Sequence, residues 1–269
     1  MKTHAYIPIL GENRWDKMET NLLGELTSPE AEKRLRRTGL AILPVGSLEQ
    51  HGPHLPLDTD SWDAYHLSQE AVRLVKGEKP LILPPIPYGV SYHHMGFAGT
   101  ISISPPTLYN LIYEIGESLR AQGIKKLLVV NGHGGNEPAL RAAAQSLKQK
   151  VGLVLFIESG GLVAPLREKL ITTRNDVHAG EYETSTTLAN REEMVRREKI
   201  PQPEVKYPSP YLEFSSPQRV SWGFDVGELS PQGVLGDPTK ASKEKGEKLW
   251  LSMIKALADL IEQLSSIEV

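Results

Sequence analysis

Leu127-Leu128-Val129-Val130 is an unbroken apolar run that gives way at once to Asn131-Gly132-His133-Gly134-Gly135-Asn136-Glu137, with Pro138 next. A run this short and this apolar reads as a strand buried on both faces. Pro138 has its φ fixed in the helical range and no N–H to leave unpaired, so it suits the first turn of a helix, predicted here to reach about Lys150. The next apolar run, Leu153 to Ile157, completes a βαβ unit. Such units build parallel sheets covered by helices on both faces, and ligands gather beyond the carboxyl ends of their strands.

The same pattern occurs earlier in the chain. Ala41-Ile42-Leu43-Pro44-Val45 reads as a buried strand. A helix follows from about Asp63 to Lys76, with Asp60 or Ser61 as its cap and Gly77 as its stop. Leu81-Ile82-Leu83 is a strand halted by Pro84 and Pro85. The alternation in Ile101-Ser102-Ile103-Ser104 predicts another, and Thr107 opens a helix that closes near Gly123. Thr239 or Ser242 opens the last helix, whose stripe of Leu249, Trp250, Met253, Ile254, Leu257, Leu260 and Ile261 reads as core packing. Residues 200–240 are rich in Pro, Gly, Ser and aromatics, including Tyr207, Tyr211, Phe214, Trp222 and Phe224. They form an irregular excursion that covers a pocket or makes a subunit interface. The expectation is one α/β domain over residues 1–269, a three-layer αβα arrangement around a mostly parallel sheet.

Composition narrows the function. Charged residues are 23% and hydrophobic residues 39%, which suits a globular chain. With 30 Lys plus Arg against 33 Asp plus Glu there is no basic field for nucleic acid or an anionic membrane. There is no cysteine, so any metal must be held by His, Asp and Glu. The first residues, MKTHAYIPILGENRWDK, lack the apolar core and cleavage site of a signal peptide, and no apolar run would span a bilayer. The expectation is a cytoplasmic protein acting on a small-molecule substrate.

Metal-capable side chains collect in the loops. PVGSLEQHGPHLPLDTD, residues 44–60, carries Glu49, His51, His54, Asp58 and Asp60. Glycines and prolines bend such a loop enough for residues two apart to converge. A polar surface loop would collect the same residue types, and His54 and Asp58 read as surface or supporting groups. In NGHGGNE, His133 stands between glycines, which let other groups approach it closely. The loop is neither a Walker A motif nor a dinucleotide fingerprint. In Asp176-Val177-His178-Ala179-Gly180-Glu181-Tyr182-Glu183, a helix starting near Gly180 would point Glu181 and Glu183 to different sides, so only one can face a shared centre. A capping role for Asp176 explains the acids but not His178. Of the adjacent His93 and His94, at most one joins a site. Three segments thus bring Glu, His and Asp to one edge of one sheet. Five or six such ligands suit zinc, manganese or iron(II). Sharing an aspartate would give a two-metal centre, with ions about 3.5–4 Å apart, that activates hydroxide and polarises a carbonyl.

PVGSLEQHGPHLPLDTD, YGVSYHHMGFAGTISI, LLVVNGHGGNE and HAGEYETS, in this order, resemble the creatininase family of metal-dependent amidohydrolases over roughly residues 40–190. The resemblance implies a binuclear site with two divalent ions per chain, zinc with manganese or iron as the other choices, and a homo-oligomer, often a hexamer. Glu49, His51, Asp60 and His133 fall on the family's ligand positions, with Asp60 as the bridge. Creatininase itself completes the site with a glutamate two residues after the NGH histidine. Gly135 stands there in this chain, so the resemblance points instead to Glu183 of the H-A-G-x-x-E-T-S motif, ahead of Glu181. That departure argues against creatinine as substrate. His178 matches the family's catalytic histidine and would shuttle a proton to the leaving nitrogen. His94 matches a family histidine and is carried as a substrate contact. The implied reaction is hydrolysis of a C–N bond in a small or cyclic amide. The alternatives are a C–C bond in a cyclic diketone, trimming of a modified peptide, or metal binding without catalysis.

Overall fold

The computed structural model describes residues 20–217 and 220–269. The leader reading of the first residues lies outside the described part. The sheet has four parallel strands, β1 (Leu40–Val45), β2 (Leu81–Ile82), β3 (Lys126–Asn131) and β4 (Val154–Glu158), in the order β2-β1-β3-β4. The helices are α1 (Ser28–Leu35), α2 (Thr59–Leu74), α3 (Pro105–Ala121), α4 (Glu137–Ser146), α5 (Ala164–Leu170), α6 (Glu181–Asn190), α7 (Val226–Leu229) and α8 (Lys243–Ser266). No helix among the described residues is long and apolar enough to cross a membrane.

The strands sort their side chains by alternation. Ala41, Leu43, Val45, Leu127 and Val129 meet Leu108 and Ile112 of α3 and Leu140 and Ala143 of α4. Leu40, Ile42, Leu128 and Val130 meet Leu67 and Val72 of α2 and Met253, Leu257 and Ile261 of α8. Both faces are therefore apolar, which is why these strands read as continuous runs. The result is the expected three-layer α/β fold.

Two features of the sheet place the loops. β1 is the point where strand order reverses, with β2 on one side and β3 on the other. The register pairs Leu40 with Lys126 and Val45 with Asn131, so β1 and β3 end level and their loops start side by side. Ligand crevices form at such a reversal.

Local chemistry moves some boundaries. Helix α2 begins at Thr59, so Asp60 lies in its first turn and is not part of the loop. Helix α3 begins at Pro105, because Ser104 Oγ accepts the Thr107 N–H at 3.2 Å and two prolines suit the first turn. Helix α4 ends at Ser146 and the chain continues as a wider turn, Leu147–Val151, stopped by Gly152 in the left-handed region. Ile101–Ser104 is not a strand. Only Ile101 bridges to Leu48, and the segment is pinned between Gly99 at positive φ and the Ser104 cap. Ser242 is the N-cap of α8, and Lys126 Nζ binds the carbonyls of Leu264, Ser265 and Ile267 at its other end, at 2.6, 3.0 and 2.8 Å. The aromatics Tyr207, Phe214, Trp222 and Phe224 pack with Phe97 around Val226, Leu229 and Leu235, a small core of the excursion's own.

Helices α6 and α8 touch where α8 has a glycine. A Cβ on Gly246 would lie 1.8 Å from the Ser185 carbonyl oxygen and 2.9 Å from Ala189 Cβ. Gly246→Ala separates two effects of opposite sign. Helix propensity alone would stabilise by about 1 kcal/mol. Overpacking costs about 1–3 kcal/mol, so urea denaturation is expected to show a net loss of stability. A gain would mean that the two helices are not held at this distance.

Candidate metal centre

The loop leaving β1 buries Glu49 and His51 completely, and the loop leaving β3 buries His133 against them. Close approach is possible because Gly132 has no side chain: a Cβ there would sit 2.3 Å from the Asp60 carbonyl oxygen. Asn136, also fully buried, ties the loops together. Its Nδ2 donates to Gly46 O and to Asn131 Oδ1, both at 3.0 Å, and its Oδ1 accepts Val90 N–H at 2.9 Å.

Asp60 stands between two imidazoles. Its Oδ1 is 3.0 Å from His51 Nε2 and its Oδ2 is 3.2 Å from His133 Nδ1. Glu49 Oε2 lies 3.2 Å from the same His133 nitrogen, and Glu183 Oε2 lies 3.8 Å from His51 Nε2. Two ligand groups result, Glu49–Asp60–His133 and His51–Asp60–Glu183, sharing Asp60. A third, Glu49–His51–His178, adjoins them.

The remote ring nitrogens explain why these imidazoles face inward. His51 Nδ1 reaches the Glu49 carbonyl at 3.1 Å, and His133 Nε2 reaches the Val90 carbonyl at 3.0 Å. A carbonyl only accepts, so each of those nitrogens carries the proton. The opposite nitrogen of each ring is turned toward the carboxylates, the arrangement that orients metal-ligating histidines. Both Glu49 oxygens and Asp60 Oδ2 are buried with no hydrogen-bond partner among the described residues. Buried carboxylate oxygens normally find donors or a cation. The donor set of nitrogen and oxygen, without sulfur, fits zinc or manganese.

The carboxylate charges act on the rings that face them. Burial and the Asp60 charge push Glu49 up, but His133 and His178 outweigh them and hold it at about 2. Burial pulls His51 down, and the Asp60, Glu183 and Glu49 charges reverse this and raise it to about 10. Burial raises Glu183 to about 7 against the pull of His51. His178 is lowered to about 3, by burial first and then by His51. Three carboxylates in a buried pocket thus draw positive charge onto His51 and His133.

The neighbouring predicted residues separate by role. His178 Nδ1 is 3.6 Å from Glu49 Oε1, and its Nε2 donates to the Gln50 carbonyl at 2.7 Å. Ala179, at φ 49, turns the chain sharply between His178 and α6, so that His178 and Glu183 reach the same place. His94 is buried, with Nε2 3.2 Å from Glu49 Oε1. His93 and His94 lie on a 3-10 turn, and His93 stacks on the His133 ring at 5.6 Å. His54 and Asp58 stay out of the cluster: His54 Nε2 meets Thr184 Oγ1 at 2.8 Å, and Asp58 pairs with Arg191 at 2.9 Å. Asp176 does cap α6, accepting Glu181 N–H at 2.7 Å and Tyr182 N–H at 2.8 Å. Sequence reasoning missed Gln50 and Asn136, although both stand inside the quoted motifs.

Beside Asp60 and Glu183 lies a cavity of about 240 Å³. Ala64 and Leu67 of α2 and Trp250, Met253 and Leu257 of α8 supply its apolar wall, and Arg167 is its cation. Helix α8 therefore lines the cavity as well as packing the core. None of the excursion's aromatics lines this cavity.

Comparison with known proteins gives one family. The profile of the creatininase family, described as creatinine amidohydrolase, matches residues 24–261. A mycofactocin precursor peptide peptidase of Mycobacterium ulcerans (strain Agy99) is 36% identical over 93% of this chain and 90% of its own length. The creatinine amidohydrolase of Pseudomonas putida is 27% identical over 90% of this chain and 96% of its own length. A solved creatininase superposes with a TM-score of 0.80 at 24% identity, covering 93% of this chain and all of that one. Solved relatives include a manganese creatininase, at TM-score 0.77 and 23% identity over 93% of this chain and all of that one.

Glu181 and Glu183 differ in surroundings. Glu181 accepts the Thr172 and Thr173 N–H groups at 3.0 and 2.8 Å and pairs with Lys245, away from the cluster. Glu181→Gln is therefore expected to cost about 1.5–3 kcal/mol in denaturation, the size of hydrogen bonds to a charged group, with bound metal unchanged. Loss of metal in a folded Glu181→Gln chain would reverse the two assignments.

Proposed function

This chain belongs to the creatininase family of metal-dependent hydrolases, and from that premise we propose that it hydrolyses a peptide-type C–N bond, with Glu49, His51, Asp60, His133 and Glu183 holding two divalent ions. The observation that carries the reading is the pair of ligand groups sharing Asp60, with His51 and His133 each pinned by a backbone carbonyl at its remote nitrogen. A pair of divalent ions there would supply Lewis-acid polarisation of the carbonyl and make a water acidic enough to attack it. The protein does the rest. His178 takes the water's proton at Nδ1 and delivers it to the leaving nitrogen as the C–N bond breaks and the new C–O bond forms. His94 stands beside that site, its Nε2 3.2 Å from Glu49 Oε1. The cavity beside Asp60 and Glu183 receives the group next to the scissile bond.

Two observations count against creatinine, and the first of them favours a peptide. Identity to the mycofactocin precursor peptide peptidase is 36%, against 27% for creatinine amidohydrolase. Position 135 also has no room for a side chain: a Cβ would lie 2.2 Å from Val90 O and 2.5 Å from His133 Nε2.

The test is a panel of short peptides, formamides, lactams, cyclic diketones and creatinine, offered to the zinc- or manganese-loaded chain. Peptide cleavage is expected, read by mass spectrometry. Glu49→Gln and His133→Ala should lower both ion content and rate. His178→Ala should keep the ions and lose about 10²–10⁴-fold in kcat. A chain that holds less than one ion and hydrolyses nothing after reconstitution would sink the reading. Creatinine turned over faster than every peptide would overturn the substrate class.

A further inference from the structure

Gln50 sits between Glu49 and His51 in the chain, and its side chain is buried in a junction with His94, His178, Gly52 and Gly233. The orientation of its amide is fixed by backbone: Oε1 accepts Gly52 N–H at 2.9 Å, and Nε2 donates to Gly233 O at 2.9 Å. Two imidazole nitrogens also lie against Nε2, His94 Nδ1 at 2.8 Å and His178 Nε2 at 3.0 Å. An amide nitrogen has only two hydrogens to give.

The surplus resolves in one way. His178 Nε2 is 2.7 Å from the Gln50 carbonyl oxygen, which can only accept, so that nitrogen carries a proton and cannot accept from the amide. The two amide hydrogens go to Gly233 O and His94 Nδ1. Neutral His94 then carries its proton on Nε2, the nitrogen that stands 3.2 Å from Glu49 Oε1. His178 keeps its lone pair on Nδ1, the nitrogen that faces Glu49. One residue thus decides which nitrogen of each ring faces the cluster, through its amide for His94 and its carbonyl for His178.

The same amide holds the end of the excursion. Gly233 is at φ 76, and a Cβ on it would fall 2.0 Å from Gln50 Oε1, so the amide occupies the place of a side chain. Two residues on, Leu235 exchanges backbone bonds with His178, its N–H to His178 O at 2.8 Å and its carbonyl to His178 N–H at 3.1 Å. Gln50 therefore fixes His178 from the loop of β1 and braces the segment that fixes it from behind.

We propose that Gln50 is a positioning residue that sets the tautomers of His94 and His178 and thereby presents the His178 Nδ1 lone pair to the reaction. The proton assignment stands on geometry alone, and only its use in catalysis rests on the hydrolase reading. Neutron diffraction from deuterium-exchanged crystals of the zinc-loaded chain tests it. Deuterium is expected on Nε2 of both His94 and His178, and none on Nδ1 of either. In Gln50→Glu the amide donor becomes an acceptor, and deuterium is expected to appear on His94 Nδ1. Gln50→Met, which removes both polar atoms at similar volume, is the second variant. It should leave His94 with deuterium divided between its nitrogens while retaining its zinc. Deuterium on His94 Nδ1 in the unsubstituted chain overturns the proposal, as does a pattern that neither substitution changes. Neither readout requires turnover, so a chain that cleaves no peptide still decides it.

Discussion

A single carboxylate facing two imidazoles sets the terms for the whole carboxyl edge of the sheet. Asp60 can meet His51 with one oxygen and His133 with the other only if the first turn of α2 presses against the loops leaving β1 and β3. The level ends of the two strands bring those loops together. Gly132 removes the side chain that would hold β3's loop off Asp60, and Gly46 does the same opposite Ser61, whose Cα would lie 2.3 Å from a Cβ. Asn136 then locks the contact by satisfying three separate backbone and side-chain groups. Register, missing side chains and one buried amide are all conditions for the same meeting of charges.

That meeting is costly in isolation. Glu49 and Asp60 are buried, and an ionised carboxylate without a counter-charge is strongly disfavoured there. The charge on His51 and His133 offsets part of this, yet three buried oxygens still find no donor among the described residues. Core packing gains nothing from such a cluster, since two helical layers already seal both sheet faces with apolar side chains. A chain that keeps it has placed it where cations or reacting groups arrive, and the strand-order reversal is that place in an open parallel sheet.

The layered fold was legible because burial on both faces leaves an unmistakable apolar run, as in Leu127–Val130. Ile101–Ser104 misled for the converse reason. Alternation signals a strand only if a partner exists, and here a glycine turn and a helix cap leave room for one bridge. Glu49, His51, Asp60 and His133 could be named because metal-capable residues stand out in loops. Gln50 and Asn136 could not, since an amide has no such signature. Their importance lies in which carbonyls and ring nitrogens happen to surround them, and those neighbours come from as far away as Gly233. The separation of Glu181 from Glu183 was half legible. Helical geometry says that they diverge, but only the positions of Thr172, Thr173 and Lys245 say which one turns away.

Glu183 also shows how a site can draw on parts of the fold remote from its loops. The NGHGGN loop admits no side chain at Gly135, so a further carboxylate for the His51–Asp60 group cannot come from there. It arrives on α6, a helix placed by the Asp176 cap at its start, the Glu181–Lys245 pair beside it and the glycine contact with α8. The position of Glu183 relative to His51 is therefore set by helix packing, whereas Glu49, His51 and His133 are set by strand register. A helix can shift slightly against its neighbour at less cost than a strand can slip a whole residue. The Glu183 side of the cluster is consequently the one most open to adjustment, and it is the side that faces the cavity.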